Sequence, residues 1–256
     1  MLLFVFIVTI FISLLTFYSG FGLGTLLTPV MMLFFPFDVA IALTGIVHLF
    51  NNILKFVLVK KHINSSILLR FGIPAIVFAF IGSSVLLLTT DLPILYSYEL
   101  FGKTCNIEPM KLTISILLFA FTLMDFLPRL KELSFDHKYL AIGGSLSGFF
   151  GGLSGNQGAL RTIFLRKAGL TKEQFIATGV AISTVIDCTR IGVYSQRIGD
   201  IDINSNLNLL IYALLGALIG TWIGNRLLKK ISLNFINQLT AFFLMLISVL
   251  LGLGFV

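Results

Sequence analysis

The sequence contains few charged residues. Asp, Glu, Lys and Arg account for 11% of its 256 residues, whereas they account for about 25% of a typical soluble domain. Apolar residues account for 57% and include 26 phenylalanines. A chain with so few charges cannot cover a globular surface with polar groups, which excludes an ordinary soluble domain. The composition indicates an all-α integral membrane protein, since a helix in lipid satisfies its own backbone hydrogen bonds.

Cysteine and histidine are also scarce. The two cysteines, Cys105 and Cys188, lie far apart and form neither a disulfide framework nor a metal-ligand pattern. Cys188 lies in an apolar run, where we expect inert packing, and Cys105 is predicted to lie in a loop. The three histidines lack the spacing of a zinc protease. We therefore expect no metal and no cofactor.

Hydrophobic runs divide the chain into segments, and a helix needs about 20 apolar residues to cross the hydrocarbon. The runs cover residues 1–19, 20–36, 38–60, 66–90, 109–127, 139–153, 154–168, 171–197, 205–228 and 232–256. The first run lacks the basic start and cleavage site of a secretory signal, so we expect it to be retained. Segments 20–36 and 154–168 are short and begin with glycines, and they either span at a tilt or re-enter the membrane. The prediction is therefore about 8–10 transmembrane helices.

The net charge of +7 reflects membrane topology and does not indicate nucleic-acid binding. Basic residues concentrate in alternate loops between the hydrophobic segments, which the positive-inside rule assigns to the cytoplasm. This set comprises Lys60, Lys61, Arg129, Lys131, Lys138, Arg166, Lys167, Lys172, Arg226, Lys229 and Lys230. The opposite loops hold few basic residues, mixed with acidic ones. We expect a plasma-membrane protein with both termini on the extracytoplasmic side.

The chain also contains an internal repeat at a single ungapped offset of 134 residues. The matched pairs are Gly24 and Gly158, Leu26 and Leu160, Thr28 and Thr162, Thr44 and Thr178, Gly45 and Gly179, Ala79 and Ala213, and Gly82 and Gly216. Each half holds five hydrophobic segments; the first half starts outside and the second inside, which predicts inverted-topology repeats. We divide the chain into a first repeat (1–127), a cytoplasmic linker (128–138) and a second repeat (139–256). Secondary transporters built this way bind substrate near the midplane, beside short or glycine-interrupted helices.

Two glycine stripes have the spacing that lets helices approach closely. Gly144, Gly148 and Gly152 are four residues apart, as are Gly216, Gly220 and Gly224. We expect these stripes to mediate helix packing, either within the chain or in a homodimer.

Residues 150–162 carry the strongest indication of a binding site. Glycines expose backbone N–H groups and a following helix points its positive end at the turn. Asn156 and Gln157 add side-chain amides, and Arg161 adds a guanidinium suited to an oxyanion. The candidate substrate-binding residues here are Gly155, Asn156, Gln157, Gly158, Arg161 and Thr162, with Gly22, Gly24 and Thr28 in the first half. Alternatively, Arg161 extends to water at the interface, and the two threonines bond to their own helices.

Polar residues also interrupt two of the long segments. Asp187 and Arg190 lie three residues apart in segment 171–197, where Arg190 would bind an anion and Asp187 would carry a proton. The alternative is a structural ion pair. Segment 38–60 holds His48, Asn51, Asn52 and Lys55, which helical spacing places on one face. We predict that Asn51 and Asn52 bind substrate and that His48, with Asp187, couples transport to protons; the alternative is a structural histidine.

The sequence resembles the sulfite exporter TauE/SafE family, also called the toluene sulfonate uptake permeases. The resemblance rests on the glycine-rich run Gly20 to Gly24 with Pro29 downstream, its counterpart Gly148 to Gly158, and the paired Thr44-Gly45 and Ala177-Thr178-Gly179. It covers nearly the whole chain and implies a plasma-membrane carrier of sulfite, sulfonates or related anions, driven by an ion gradient. In the second motif Asn156-Gln157 replace residues that are usually glycines. The expected partners are the small anion and the lipid bilayer, with a homodimer left open and no nucleic acid.

The sequence also shares features with other function classes. Gly152-Leu153-Ser154-Gly155 matches the serine motif of rhomboid intramembrane proteases, but a nucleophilic serine needs a nearby base. His48, the only histidine within a span, precedes Ser154, whereas rhomboids have the opposite order. An anion channel or a non-transporting scaffold would share the membrane architecture.

Overall fold

The computed structural model describes residues 1–19, 22–35, 37–89, 92–100, 102–127, 134–198, 203–227 and 233–255. Within them each predicted hydrophobic segment contains one helix. The helices are α1 (Leu2–Ser19), α2 (Leu23–Met32), α3 (Phe37–Val59), α4 (Ser65–Thr89), α5 (Pro109–Phe126), α6 (Leu140–Ser154), α7 (Gly158–Leu165), α8 (Lys172–Ile198), α9 (Ile203–Leu227) and α10 (Leu233–Gly252). Single-turn 3₁₀ helices at Lys60–His62 and His137–Tyr139 lie in two of the connections. The expected helical membrane architecture is confirmed.

Helix length separates crossing helices from short ones. Four stretches of the described chain are long and apolar enough to cross a membrane: Val39–Val57, Ser65–Thr89, Lys172–Gln196 and Leu207–Gly224. By contrast, α2 has 10 residues and α7 has 8. At about 1.5 Å per residue each is about half as long as the hydrocarbon is thick, or less. Each therefore starts or ends inside the bundle, next to a turn that the bundle must enclose.

A β-hairpin that the sequence analysis did not predict connects α4 to α5. Strands β1 (Tyr96–Leu100) and β2 (Lys103–Ile107) pair antiparallel, and Gly102 takes a positive φ of 73° in the turn. Cys105, expected in a loop, is a buried residue of β2 opposite Tyr98. The Tyr98 hydroxyl donates to the Leu253 carbonyl at 2.6 Å. The hairpin is thereby attached to the C-terminal end of α10.

The predicted glycine stripes are helix-packing surfaces. Gly144, Gly148 and Gly152 of α6 each face a backbone carbonyl of α4, those of Phe71, Ala75 and Ala79 respectively, so closely that a Cβ would overlap it. Gly216 and Gly220 of α9 approach the carbonyls of Phe6 and Ile10 in α1 in the same way. Both stripes are buried within the chain. The observed packing confirms this use of the glycines.

The helix contacts join the two halves of the sequence. Helix α4 of the first half packs along α6 of the second, and α9 of the second half packs along α1 of the first. Helices α3 and α8 contact each other, as do α5 and α10. The residues matched at offset 134 lie on α2 and α7, α3 and α8, or α4 and α9. Exchanging the two halves therefore leaves this set of contacts unchanged.

Polar and apolar side chains are distributed as lipid exposure requires. Large apolar residues such as Leu69, Ile73, Val77 and Phe80 on α4 are exposed, whereas polar residues of α3 and α8 are buried. Of the basic residues used to assign the sides, Arg129, Lys131, Lys229 and Lys230 lie outside the described residues, as do Gly20 and part of the predicted linker. Arg226 lies over the Trp222 ring, 4.0 Å from its centroid, a cation–π arrangement. The polar interior between α3 and α8 is therefore the candidate site.

The close α4–α6 contact predicts that a single methyl group is costly. Gly148→Ala should lower the free energy of unfolding by about 1–3 kcal/mol, since its Cβ would overlap the Ala75 carbonyl oxygen. Gly192→Ala is the matched control, because among the described residues no heavy atom outside the adjoining part of its own helix lies within 4 Å of its Cβ position. Unfolding of the detergent-purified variants measures the difference. Equal midpoints would show that the two helices separate without cost.

Candidate substrate site

The centre of the site is the Asp187 carboxylate, which is fully buried where α8 crosses α3. Its Oδ2 lies 2.7 Å from His48 Nδ1 and accepts from Asn52 Nδ2 at 2.7 Å. Its Oδ1 accepts from Arg190 Nε at 3.0 Å. His48 and Asn52 are one turn apart on α3, so one carboxylate links the two helices. The structure therefore brings together four of the predicted site residues.

Glycines make room for the two largest side chains of this cluster. A Cβ at Gly22 would lie 2.7 Å from His48 Nε2, and one at Gly155 would lie 2.7 Å from Arg190 Nη1. A Cβ at Gly45 or at Gly24 would lie 3.7 or 3.9 Å from Arg190 Nη2. The glycine-rich turns before α2 and α7 thus reach the Asp187 cluster from opposite halves of the sequence. Larger residues there would displace the guanidinium or the imidazole.

The turn between α6 and α7 is fixed by its own hydrogen bonds. Gly155 ends α6 in the left-handed conformation, with a φ of 77°, and its N–H donates to Gly151 O. This conformation is one that glycine adopts without strain. The Gln157 carbonyl accepts from Ser147 Oγ at 3.1 Å and from Arg161 N at 3.1 Å. Asn156 and Gln157 are therefore held at a defined position directly after Gly155, which lies against Arg190.

Several buried polar atoms at this place have no hydrogen-bond partner among the described residues. They are Arg190 Nη2, Asn156 Oδ1, both amide atoms of Gln157 and Thr44 Oγ1. A buried polar group without a partner costs about 1–3 kcal/mol, and folded proteins contain few of them. Several such atoms at one place fit a site that receives a polar ligand or ordered water.

Arg161 belongs to α7 and contacts α8 nearer the N-terminal end of that helix than Arg190 does. Its Nη1 donates to Ser183 Oγ, and its Nε lies 3.4 Å from where a Cβ of Gly179 would be. Ser183 precedes Asp187 by one turn of α8. Lys55 of α3 is near enough for its charge to interact with that of Arg161. Arg161 thus faces the bundle interior and does not extend to an open surface, since it is only partly exposed.

Other predicted site residues are used differently. Asn51 does not join the Asp187 cluster: its Oδ1 accepts from Thr221 Oγ1 at 2.7 Å, and Thr221 contacts Ser13 at 2.9 Å. His48, Asn51 and Asn52 are all buried, as their helical spacing predicts, but Asn51 meets α9 whereas Asn52 meets α8. Thr162 donates to its own helix at Gly158 O, 2.8 Å away. Thr28 is buried within α2.

Comparison with known families supports the family resemblance seen in the sequence. The model of the sulfite exporter TauE/SafE family matches residues 5–251, nearly the whole chain. The chain belongs to the sulfite exporter TauE/SafE family. Membership indicates a multi-pass membrane transporter of sulfur-containing anions. Searches of curated proteins and of solved structures returned no significant match.

Membership in the TauE/SafE family also implies that the chain is not an enzyme. The environment of Ser154 agrees with a structural role for that residue. Its hydroxyl donates to Phe150 O at 3.0 Å within α6 and accepts from Asn156 N at 3.4 Å. Within the described part of the chain, neither partner is a base that could activate a nucleophile. The hydroxyl instead supports the turn that holds Asn156.

Sequence reasoning missed several residues of this TauE/SafE site. Thr44 and Gly45 served only as repeat and family markers, yet Thr44 Oγ1 has no hydrogen-bond partner among the described residues, and a Cβ at Gly45 would lie 3.7 Å from Arg190 Nη2. Ser183 holds Arg161, and the Tyr194 hydroxyl donates to Gly152 O. The internal repeat could have pointed to Gly45, because Gly45 and its repeat partner Gly179 each lie against an arginine.

The shared carboxylate predicts a large stability effect. Asp187→Asn should lower the free energy of unfolding by about 3–5 kcal/mol, because it leaves the Arg190 charge buried without its counter-ion. The double variant Asp187→Asn/Arg190→Gln should recover part of the loss. Asp136→Asn, at an exposed position, is the matched control. A double variant less stable than Asp187→Asn alone would contradict the pairing as the cause.

Proposed function

We propose that the chain is a secondary transporter that moves a small sulfur-containing anion, sulfite or a close relative, across the plasma membrane. The observation that carries the proposal is Arg190. Its side chain is 1% exposed near the middle of a crossing helix, and its Nη2 lacks a partner among the described residues. A guanidinium at such depth is costly. An anion that accepts from Nη2 would offset that cost.

The charges around Arg190 favour an anion over a cation. The charged side chains described at the site are Asp187, which is acidic, and Arg190, Arg161 and Lys55, which are basic. With His48 neutral, the positive charges exceed the negative one. In a medium of low dielectric constant this excess attracts an anion more strongly than it would in water. Sulfite is a compact oxyanion that matches donors converging from several helices.

The arrangement of the halves supports alternating access. We propose that the two repeats are related by inverted topology, with the site at their interface. Helices α3 and α8 supply the charged cluster, one from each half, and the short helices α2 and α7 begin beside it. Transporters with such repeats place substrate at the repeat interface, near the ends of broken helices. Rocking one half against the other would open the site to each side in turn.

The distribution of basic loops supports a cytoplasmic location for the connections after α3, α5, α7 and α9. Both termini then lie outside the plasma membrane. In this orientation α8 runs outward, so Arg161 lies closer to the cytoplasm than Arg190 does. An anion would meet the two guanidinium groups one after the other.

Flux measurements test the proposed function. In proteoliposomes the wild-type chain should take up radiolabelled sulfite with saturation, and Arg190→Ala or Arg161→Ala should slow uptake at least about tenfold, since each removes charged hydrogen-bond donors. Arg190→Lys keeps the charge but loses the planar fork, and should also be slow. Arg70→Ala, at an exposed position of α4, is the matched control. Normal uptake by both alanine variants would refute the site, and unsaturable flux would favour a channel.

Proton coupling through His48 and Asp187 is a separate prediction. His48 Nδ1 and Asp187 Oδ2 lie within hydrogen-bond distance, at 2.7 Å. A proton bound between them would therefore travel with the conformational change. His48→Gln should lower the ratio of protons to sulfite moved by about one. The pH gradient at which net flux reverses gives this ratio. His62→Gln, at an exposed position, serves as control, and an unchanged ratio in His48→Gln would assign coupling elsewhere.

A further inference from the structure

Gln157 is the least explained polar side chain in the site. It is 1% exposed, and neither Nε2 nor Oε1 has a hydrogen-bond partner among the described residues. Its position is well fixed: Ser147 Oγ donates to its carbonyl, and its N–H donates to Gly155 O at 3.2 Å. Its side chain packs against Gly151, with Cδ 3.6 Å from where a Cβ would be. The backbone of Gln157 is thus held in place, and rotation of its side chain to the surface would remove the contact with Gly151.

An amide with two unpaired ends makes a specific demand on a ligand. One end donates and the other accepts, and this remains true if the nitrogen and oxygen are interchanged. Burial without partners costs free energy at both ends. A ligand that satisfies Gln157 must therefore offer both an acceptor and a hydrogen.

The residues around Gln157 also offer one donor and one acceptor. Gly155 and Asn156 directly precede Gln157. Arg190 Nη2, 3.7 Å from where a Cβ of Gly155 would be, is a donor, and Asn156 Oδ1 is an acceptor; neither has a hydrogen-bond partner among the described residues. A fully deprotonated oxyanion, or a sulfonate, offers only acceptors. It would satisfy the guanidinium and one end of the Gln157 amide, and it would place its own negative oxygens against the other end. An oxyanion that carries a hydroxyl satisfies both ends.

We infer that the site takes an oxyanion that carries a hydroxyl hydrogen, which for sulfite is hydrogen sulfite, in preference to the dianion or a sulfonate. The negative oxygens accept from Arg190 and from the donor end of Gln157, and the hydroxyl donates to its acceptor end. This inference rests on the proposed function and names the form of the substrate. Gln157 is thereby a specificity-determining residue.

Because sulfite loses its second proton near neutrality, the inference has a pH signature. The concentration of total sulfite that half-saturates uptake should rise about tenfold per pH unit above that transition, as hydrogen sulfite becomes scarce. Methanesulfonate, which does not titrate in this range, should inhibit weakly and to the same degree at every pH. Its affinity should be at least about tenfold below that of hydrogen sulfite, because one end of the Gln157 amide stays unpaired.

Other titratable groups face the same space and must be separated from the substrate. They are His48 and Lys55 of α3, Arg161 of α7, and Asp187, Arg190 and Tyr194 of α8. Titration of any of these would alter sulfite and methanesulfonate affinity together. Only protonation of the substrate alters the affinity for sulfite alone.

The deciding experiment compares Gln157→Met with Gln238→Met in proteoliposomes. Methionine keeps the length of the side chain but offers no amide, and Gln238 is exposed on α10. Gln157→Met should bind sulfite more weakly than wild type, so that its preference for sulfite over methanesulfonate falls at least about tenfold. Gln157→Asn, which keeps both amide ends, should retain part of the preference. Gln238→Met should behave as wild type.

The outcomes separate this inference from the proposed function. Sulfite uptake with equal pH dependence for both anions, or with the full preference retained in Gln157→Met, would overturn the hydrogen sulfite inference and leave the transporter intact. A wild-type chain that moves no sulfur oxyanion would overturn the proposed function, and the inference with it.

Discussion

The rest of the site depends on one buried carboxylate. Asp187 accepts from Arg190 within α8 and from Asn52 on α3, with His48 at 2.7 Å. Without it, a guanidinium would lie uncompensated inside a membrane protein, at a cost of several kcal/mol, about 3–5 by analogy with broken buried pairs. The same carboxylate joins α3 to α8, one helix from each half of the sequence. Asp187 therefore both compensates the charge of Arg190 and holds the two halves together.

Glycines leave the room that these buried side chains and close helix contacts need. Gly155 and Gly45 leave the space that Arg190 occupies, and Gly22 leaves the space for His48. The stripe on α6 meanwhile lets its backbone contact that of α4. A membrane helix cannot rely on the hydrophobic effect to bind its neighbour, so small residues and buried polar contacts supply the affinity. In this chain the small residues and the buried polar contacts lie next to each other, because α6 carries the glycine stripe and ends at the turn that faces Arg190.

Much of this could be predicted from the sequence, for identifiable reasons. Long apolar runs fixed the helices, and a period of four revealed the glycine stripes, because both signals are local. The pairing of Asp187 with Arg190 follows from helical spacing alone. The roles of Asn51 and Asn52 could not be separated, because only the neighbouring helix decides which amide meets Thr221 and which meets Asp187. The β1–β2 hairpin was missed because a strand of 5 residues leaves little periodic signal.

The spacing of polar groups along α8 gives the site a direction. Gly179 and Ser183 adjoin Arg161, and Asp187 binds Arg190, which lies 11 residues beyond Gly179 in the sequence. At about 1.5 Å per residue this stripe is about 16 Å long, roughly half the hydrocarbon thickness. The two guanidiniums are thus at different depths and differ in compensation, since a carboxylate binds Arg190 directly while a hydroxyl binds Arg161. Among the described residues no carboxylate is hydrogen-bonded to Arg161, so its positive charge is less compensated than that of Arg190.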